Sequence, residues 1–183
     1  ANAIAWRDPD GNLIVFSAPG SDAATAHGPG VLPATLQHFA LRTPNIAAML
    51  AFYTEQLGFV LSDAVRDEEG NLRACFLRVD GLHHALALFF APMSCFDHQS
   101  FEAPDWASMK TWGDHVATQR IPIVWGIGRH GPGNDVFFMV RDPDGNLVEI
   151  SSEIEHCEPD RPAGEWAHEE RTLNLWGKAI LRS

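Results

Sequence analysis

The chain has 183 residues, with 24 acidic against 13 basic side chains and a formal net charge of -11. No Lys/Arg cluster is available to release counterions from a nucleic-acid backbone, so nucleic-acid binding is excluded as a main role. Hydrophobic residues make up 45% of the chain; at this length one domain buries roughly 70% of its unfolded surface without disulfides, and no apolar run approaches the roughly 18 residues of a membrane span.

The N-terminus shows neither the basic start nor the apolar stretch of a secretion signal. Cys75, Cys95 and Cys157 have neither C-x-x-C spacing nor an even count, which points to a reducing cytoplasm. Arg7-Asp8-Pro9-Asp10-Gly11-Asn12-Leu13-Ile14-Val15-Phe16 returns as Arg141-Asp142-Pro143-Asp144-Gly145-Asn146-Leu147-Val148-Glu149-Ile150. Each copy predicts a tight turn feeding a strand. Residues 1–17 are therefore expected to be the terminal strand remnant of a preceding structural module, its last strand (residues 12–17) unpaired and open to a neighbouring chain. Val15 in the first copy becomes Glu149 in the second, a carboxylate in place of an aliphatic side chain.

Residues 18–35, rich in Gly, Ala, Ser and Pro without periodicity, predict a linker. Residues 36–153 predict the main module, which carries a second repeat: His38, Pro44, Ala47 and Met49 lie over His98, Pro104, Ala107 and Met109 at one constant offset. Each copy reads as strand, Pro at a helix's opening turn, helix, then three strands. In the first, Thr43 can cap, and Ile46, Met49, Leu50, Tyr53 and Leu57 recur at helical spacing until Gly58. In the second, Trp106, Met109, Gly113, Val116 and Ala117 share a face. Strands are expected over Phe59 to Arg66, Leu72 to Asp80 and His84 to Phe90, then over Ile121 to Trp125, Val136 to Arg141 and Leu147 to Ser152. Residues 154–183 read as a polar tail with Leu173, Leu175 and Trp176 able to pack back. The fold class is thus α+β, built of paired βαβββ units; together with the donors and the resemblance given below, the expectation is a curved, incompletely closed mixed sheet around a metal site, helices outside.

Histidines at equivalent places in a duplicated unit converge when their strands face a common interior. By strand parity His38 shares a face with Leu36 and Ala40, His98 with Phe96 and Ser100, and Glu149 with Leu147 and Ser151, while Val148 and Ile150 face a helix layer. An inward Glu in an apolar strand is costly without a partner. Two imidazoles and one carboxylate make the facial triad that suits non-heme Fe(II), with Mn(II) as the alternative. A Gly-rich loop bearing Arg129 and His130 reads better as a site rim than as core.

The paired units, the Phe52-Tyr53-x-x-x-Leu57-Gly58-Phe59 helix exit and the Asp-Pro-Asp-Gly-Asn-x-x-Glu-Ile ending resemble the vicinal oxygen chelate superfamily. Within it, residues 36 to 153 resemble the catalytic C-terminal module of type I extradiol catechol dioxygenases. The resemblance implies iron on His38, His98 and Glu149, an acid/base role for His84, substrate binding and catalysis by His130, and a metal-free module of which residues 1–17 are the remnant; Arg129, from its place in the loop, is expected to bind substrate with His130. It further implies a catechol-type aromatic substrate, O2 as co-substrate and a homo-oligomer. His83, one residue out of phase, is expected to be structural. One departure stands out: where the family has a tyrosine this chain has Met139, and its only tyrosine, Tyr53, belongs to the helix exit. Alternatives within the fold are a glyoxalase-like or fosfomycin-resistance-like metalloenzyme. The former needs a fourth ligand on the last strand of the first half, and no Asp or Glu lies between His84 and Pro92; the latter needs a cationic phosphonate cluster, which is missing from the sequence. A metal-free small-molecule binder is the reading from another class.

Overall fold

Each half of the duplicated region begins with a strand that changes to helix at a turn-forming polar residue. The computed structural model describes residues 4–16 and 32–180; residues 18–31 of the expected linker lie outside the described residues. The first half runs β3 (Thr35–Thr43), α1 (Ile46–Ala51), β4 (Val60–Arg66), β5 (Leu72–Arg78) and β6 (Leu86–Phe90), preceded by β1 (Ile4–Arg7) and β2 (Leu13–Phe16). The second runs β7 (Cys95–Glu102), α2 (Trp106–Thr118), β8 (Trp125–Arg129), β9 (Val136–Arg141) and β10 (Leu147–Ser152), and the tail adds β11 (Gly164–Ala167) and α3 (Glu170–Leu173).

Thr43 Oγ1 accepts the Asn45 N–H at 2.9 Å where the chain turns into α1, and Asp105 caps α2 by accepting the Ser108 N–H at 2.7 Å. After α1 the helix widens into a π turn over Phe52–Gln56 and stops at Gly58, whose φ of 76° suits glycine. Tyr53 is buried there as packing, and its hydroxyl reaches Asp8 at 3.3 Å, which ties the N-terminal hairpin to the domain.

The main sheet has nine strands in the order β11-β4-β5-β6-β3-β7-β10-β9-β8. β3 and β7 pair antiparallel at its centre, flanked by parallel β6 and β10. The ends β11 and β8 do not meet, so the sheet is open as expected. One core lies under α1 around Met49, Leu77 and Leu88, and another under α2 around Met109, Phe138 and Ile150. A third fills the hollow of the curve around Ala40, Phe76, Phe137 and Met139, with Leu173 and Trp166 of the tail packed into it. Among the described residues no helix is long and apolar enough to cross a membrane.

Four expectations are corrected. The strand expected to stand unpaired at residues 12–17 is β2, and it pairs antiparallel with β1. The strand expected over Ile121 to Trp125 lies over Trp125–Arg129, because Pro122 has no N–H to donate and Ile121, Ile123 and Val124 remain exposed. The strand expected from His84 starts at Leu86, since the His83 and Ala85 N–H groups bond to Glu155 and Leu77 and bend the chain there. Finally, register shifts between Leu36 and His38 and between Ala40 and Leu41 break the simple parity, so Leu36 and Phe96 face solvent while His38, Ala40 and His98 face inward.

Candidate metal centre

The sheet order sets β3, β7 and β10 side by side, and each contributes one of the three expected donors. His38 Nε2 lies 3.1 Å from His98 Nε2, and both lie 4.0 Å from a Glu149 oxygen. All three donor atoms fall within 4.8 Å of one another, a spread that one small divalent ion bridges. All three residues are buried.

The partners of the imidazoles decide whether a cation fits. His38 Nδ1 sits 2.7 Å from Gln37 Oε1, and His98 Nδ1 sits 2.6 Å from Asp97 Oδ1. Both partners are acceptors, so each ring carries its proton on Nδ1 and turns an Nε2 lone pair toward the other. Two lone pairs 3.1 Å apart in a buried site repel each other unless a cation stands between them. The donor set therefore fits a metal, with the second ring nitrogen of each histidine held as metal-binding histidines usually are. Asp97 is itself held by Arg42 Nε at 2.6 Å. Ser100 donates to Glu149 Oε1 at 2.9 Å, and Ser151 lies 3.0 Å from Ser100. Sequence reasoning missed Gln37 and Asp97, although a signal was present: both directly precede a repeat histidine at equivalent positions.

Burial first, then the neighbouring His84 and His98, keep the His38 pKa well below the ordinary imidazole value, which leaves the ring neutral. Burial acts to raise the Glu149 pKa, but the hydrogen bond and charge of His130 and a bond from Ser100 outweigh it and hold the carboxyl below its usual value. His130 responds in the opposite sense: burial lowers its pKa, while Glu149 and Asp135 raise it above the ordinary value. Asp135, fully buried, is pushed up to about 7, chiefly by burial.

His84 and His130 both reach the same cup. The His84 ring is buried, with its centroid 4.3 Å from that of His38. His130 stacks on Phe137 with centroids 3.8 Å apart, and its Nδ1 donates to the Leu173 carbonyl at 2.6 Å. His130 Nε2 is thereby left 3.4 Å from Glu149 Oε2. Phe76, Ala87, Phe89, Trp125, Met139 and Leu173 supply most of the remaining wall. Ala87 and Phe89 are the β6 residues in that wall, so the corner where a fourth ligand was sought is apolar. Arg129 is not part of the wall. Its guanidinium pairs with Glu153 at 2.6 Å, donates to the Asn134 carbonyl and lies over the Trp176 ring.

Residues 35–150 match the family model of the Glyoxalase/Bleomycin resistance protein/Dioxygenase superfamily. The chain is 31% identical over 201 residues to metapyrocatechase 2 of Cupriavidus necator, an alignment covering 98% of this chain and 62% of that protein. Among solved structures it resembles the Mn(II)-bound glyoxalase from Novosphingobium aromaticivorans, with TM-score 0.82, 30% identity, and 96% of this chain and 57% of that one covered. It also resembles an extradiol ring-cleaving dioxygenase from B. fuscum, with TM-score 0.72, 28% identity, and 79% and 42% covered. The chain thus spans less than two thirds of each of these relatives. The doubled βαβββ sheet, its inward-facing donors and these likenesses agree: the chain belongs to the Glyoxalase/Bleomycin resistance protein/Dioxygenase superfamily.

Proposed function

We propose that this chain is the catalytic part of a non-heme Fe(II)-dependent extradiol dioxygenase, which opens a catechol-type ring with O2 to a semialdehyde acid that keeps both oxygen atoms. The observation that carries this reading is the pair of buried Nε2 lone pairs facing one another at 3.1 Å beside an ionised Glu149, in a cup walled by aromatic rings. His38, His98 and Glu149 would hold the metal. Bound there, Fe(II) supplies Lewis acidity toward the two ring oxygens and one-electron chemistry toward O2.

Two neutral imidazoles and one carboxylate leave a net positive charge at a divalent centre, which favours a deprotonated diol. His84 takes the proton of a catechol hydroxyl. Burial first, then the charges of neighbouring histidines, hold its pKa well below the ordinary value, so it stands ready as a neutral base and returns the proton later. Met139 offers no hydroxyl, so hydrogen bonds to the substrate oxygens fall to His84 and His130. Phe76, Phe89 and Trp125 pack against the ring and exclude water. Arg129, committed to Glu153, takes no part in this account.

The test is to load the chain with Fe(II) without oxygen and then mix it with aerated buffer and a panel of catechols. Oxygen uptake matched one to one by a yellow ring-opened product is expected; stoichiometric iron with no uptake on any catechol refutes the reading. A glyoxalase-type isomerase is the second reading, favoured by the likeness to the Mn(II)-bound glyoxalase. The apolar Ala87 and Phe89 at the fourth-ligand corner weigh against it.

A further inference from the structure

His83 and Asp63 stand behind the presumed base and are used by nothing described so far. Asp63 lies on β4 and His83 in the bend before β6, and both are buried. His83 Nδ1 is 3.0 Å from His84 Nδ1, and His83 Nε2 is 3.2 Å from Asp63 Oδ2. That second contact is bent away from the N–H direction, so it is a loose contact and not an aligned hydrogen bond.

We propose that Asp63 and His83 are positioning residues that set the tautomer of His84, placing its proton on Nδ1 and an open lone pair on Nε2, toward the cup. This rests on the dioxygenase reading only for its catalytic consequence. The argument is one of proton counting. The two Nδ1 atoms are too close for both to carry protons or both to lack them, so one donates to the other. If a neutral His83 were the donor, its Nε2 would present a lone pair to a buried carboxylate at 3.2 Å, which is repulsive; a doubly protonated His83 would leave the His84 proton on Nε2, the outcome that the nitrogen shifts below exclude or reveal. With the proton on His83 Nε2 instead, His83 Nδ1 accepts and His84 Nδ1 donates. His84 then has only Nε2 left for the cup, unprotonated, as a base requires. A proton leaving a catechol hydroxyl would pass to that nitrogen, and the resulting imidazolium would keep its Nδ1–H on His83 with the Asp63 charge behind it.

The arrangement depends on Asp63 being ionised, and the tail ensures this. Arg161 Nη2 and the Gly164 N–H reach Oδ1 at 3.1 and 3.2 Å, and Trp166 Nε1 donates to Oδ2 at 2.7 Å. Burial acts to raise the Asp63 pKa, but bonds from His83, Trp166 and Arg161 outweigh it and hold the carboxyl below its usual value. The Gly133 backbone closes the other side. A side-chain carbon there would come within 3.2 Å of both His83 Nδ1 and His84 Cε1, so only glycine lets the chain pass this close to the two rings.

The test reads the tautomer directly. Imidazole ¹⁵N shifts of the full chain, with diamagnetic Zn(II) in the centre, should show His84 protonated on Nδ1 and His83 on Nε2. His84 protonated on Nε2 in the wild type overturns the proposal without need of any variant. With Fe(II) and a catechol, His83→Phe should lower kcat by up to about 10⁴-fold, as loss of the correct tautomer does elsewhere, while KM changes little. His83→Gln should recover most of that loss, because its amide can donate toward Asp63 and accept from His84. A kcat within twofold of wild type in His83→Phe overturns the catalytic role. Absence of ring cleavage in the wild type would sink the dioxygenase reading alone, since the nitrogen shifts still decide the tautomer.

Discussion

Replacing Glu149 with Gln removes the one negative donor while keeping the shape of the side chain. The Gln amide oxygen can still accept from Ser100, now 2.9 Å from Glu149 Oε1, but its NH2 group takes the place of Oε2, 4.0 Å from His98 Nε2 and 3.4 Å from His130 Nε2. The metal-free variant also loses the buried contact with His130 and should be destabilised by roughly 1–3 kcal/mol, so each protein's metal-induced shift is read against its own metal-free Tm. Metal binding should respond very differently. In wild type, a divalent ion at about 100 times its Kd adds ~2.7 kcal/mol, which for a chain of this size raises Tm by roughly 5–11 °C. Losing a ligand should cost more than the ~100-fold that loss of a supporting contact costs. At the same ion concentration the variant then gains less than ~0.4 kcal/mol, and its Tm rises by less than roughly 2 °C. Differential scanning calorimetry with and without Mn(II), which resists air oxidation, measures both shifts, and elemental analysis gives the stoichiometry. Equal metal-induced shifts in wild type and variant would refute the assignment of Glu149 as a ligand. No shift in wild type with any divalent ion would refute the centre itself.

His84→Phe should keep the metal-induced Tm rise and lose turnover by roughly 10²- to 10⁴-fold, the contribution of general acid/base catalysis; calorimetry and oxygen uptake together check it. Asp97→Asn weakens the acceptor holding His98 Nδ1 at 2.6 Å and the partner of Arg42, so metal affinity should fall roughly 10- to 100-fold in a competition titration. Gly131→Ala would set a side-chain carbon 2.8 Å from the Thr172 carbonyl and from the Trp166 ring. It should cost roughly 1–3 kcal/mol, read in Tm, and make the tail more susceptible to limited proteolysis. Asp63 has its carboxyl held below the ordinary value by His83, Trp166 and Arg161 against the effect of burial. A depressed folded pKa gives stability that is present above about pH 4 and lost as pH falls through the folded value. Arg161→Met raises that folded value, so the acid-unfolding midpoint followed by tryptophan fluorescence should move to higher pH.

Much of the fold was legible because the chain repeats itself. The coincidence of His38 with His98 marked two units, helical spacing located α1 and α2, and the Asp-Gly-Asn turns located the strands that follow them. Errors fell where local pattern met a tertiary constraint. Ile121 and Ile123 read as strand but stay exposed beside Pro122, and the register shifts in β3 turned Leu36 outward. Arg129 read as a site residue from its loop, yet an ion pair with Glu153, which follows β10 directly, turns it away. His83 read as structural from its phase, and only the fold shows Asp63 behind it and His84 in front.

The sequence by itself determined the duplication and the element order from β3 to β10 and put forward three candidate donors, because period-two alternation and the repeat can be read along the chain. The tertiary structure alone decided that β3, β7 and β10 lie side by side, that Gln37 and Asp97 orient the imidazoles, and that the tail closes the cup and keeps Asp63 ionised. Those contacts join residues far apart in the chain through strand pairing and buried hydrogen bonds, whose partners are chosen by packing and not by any local period.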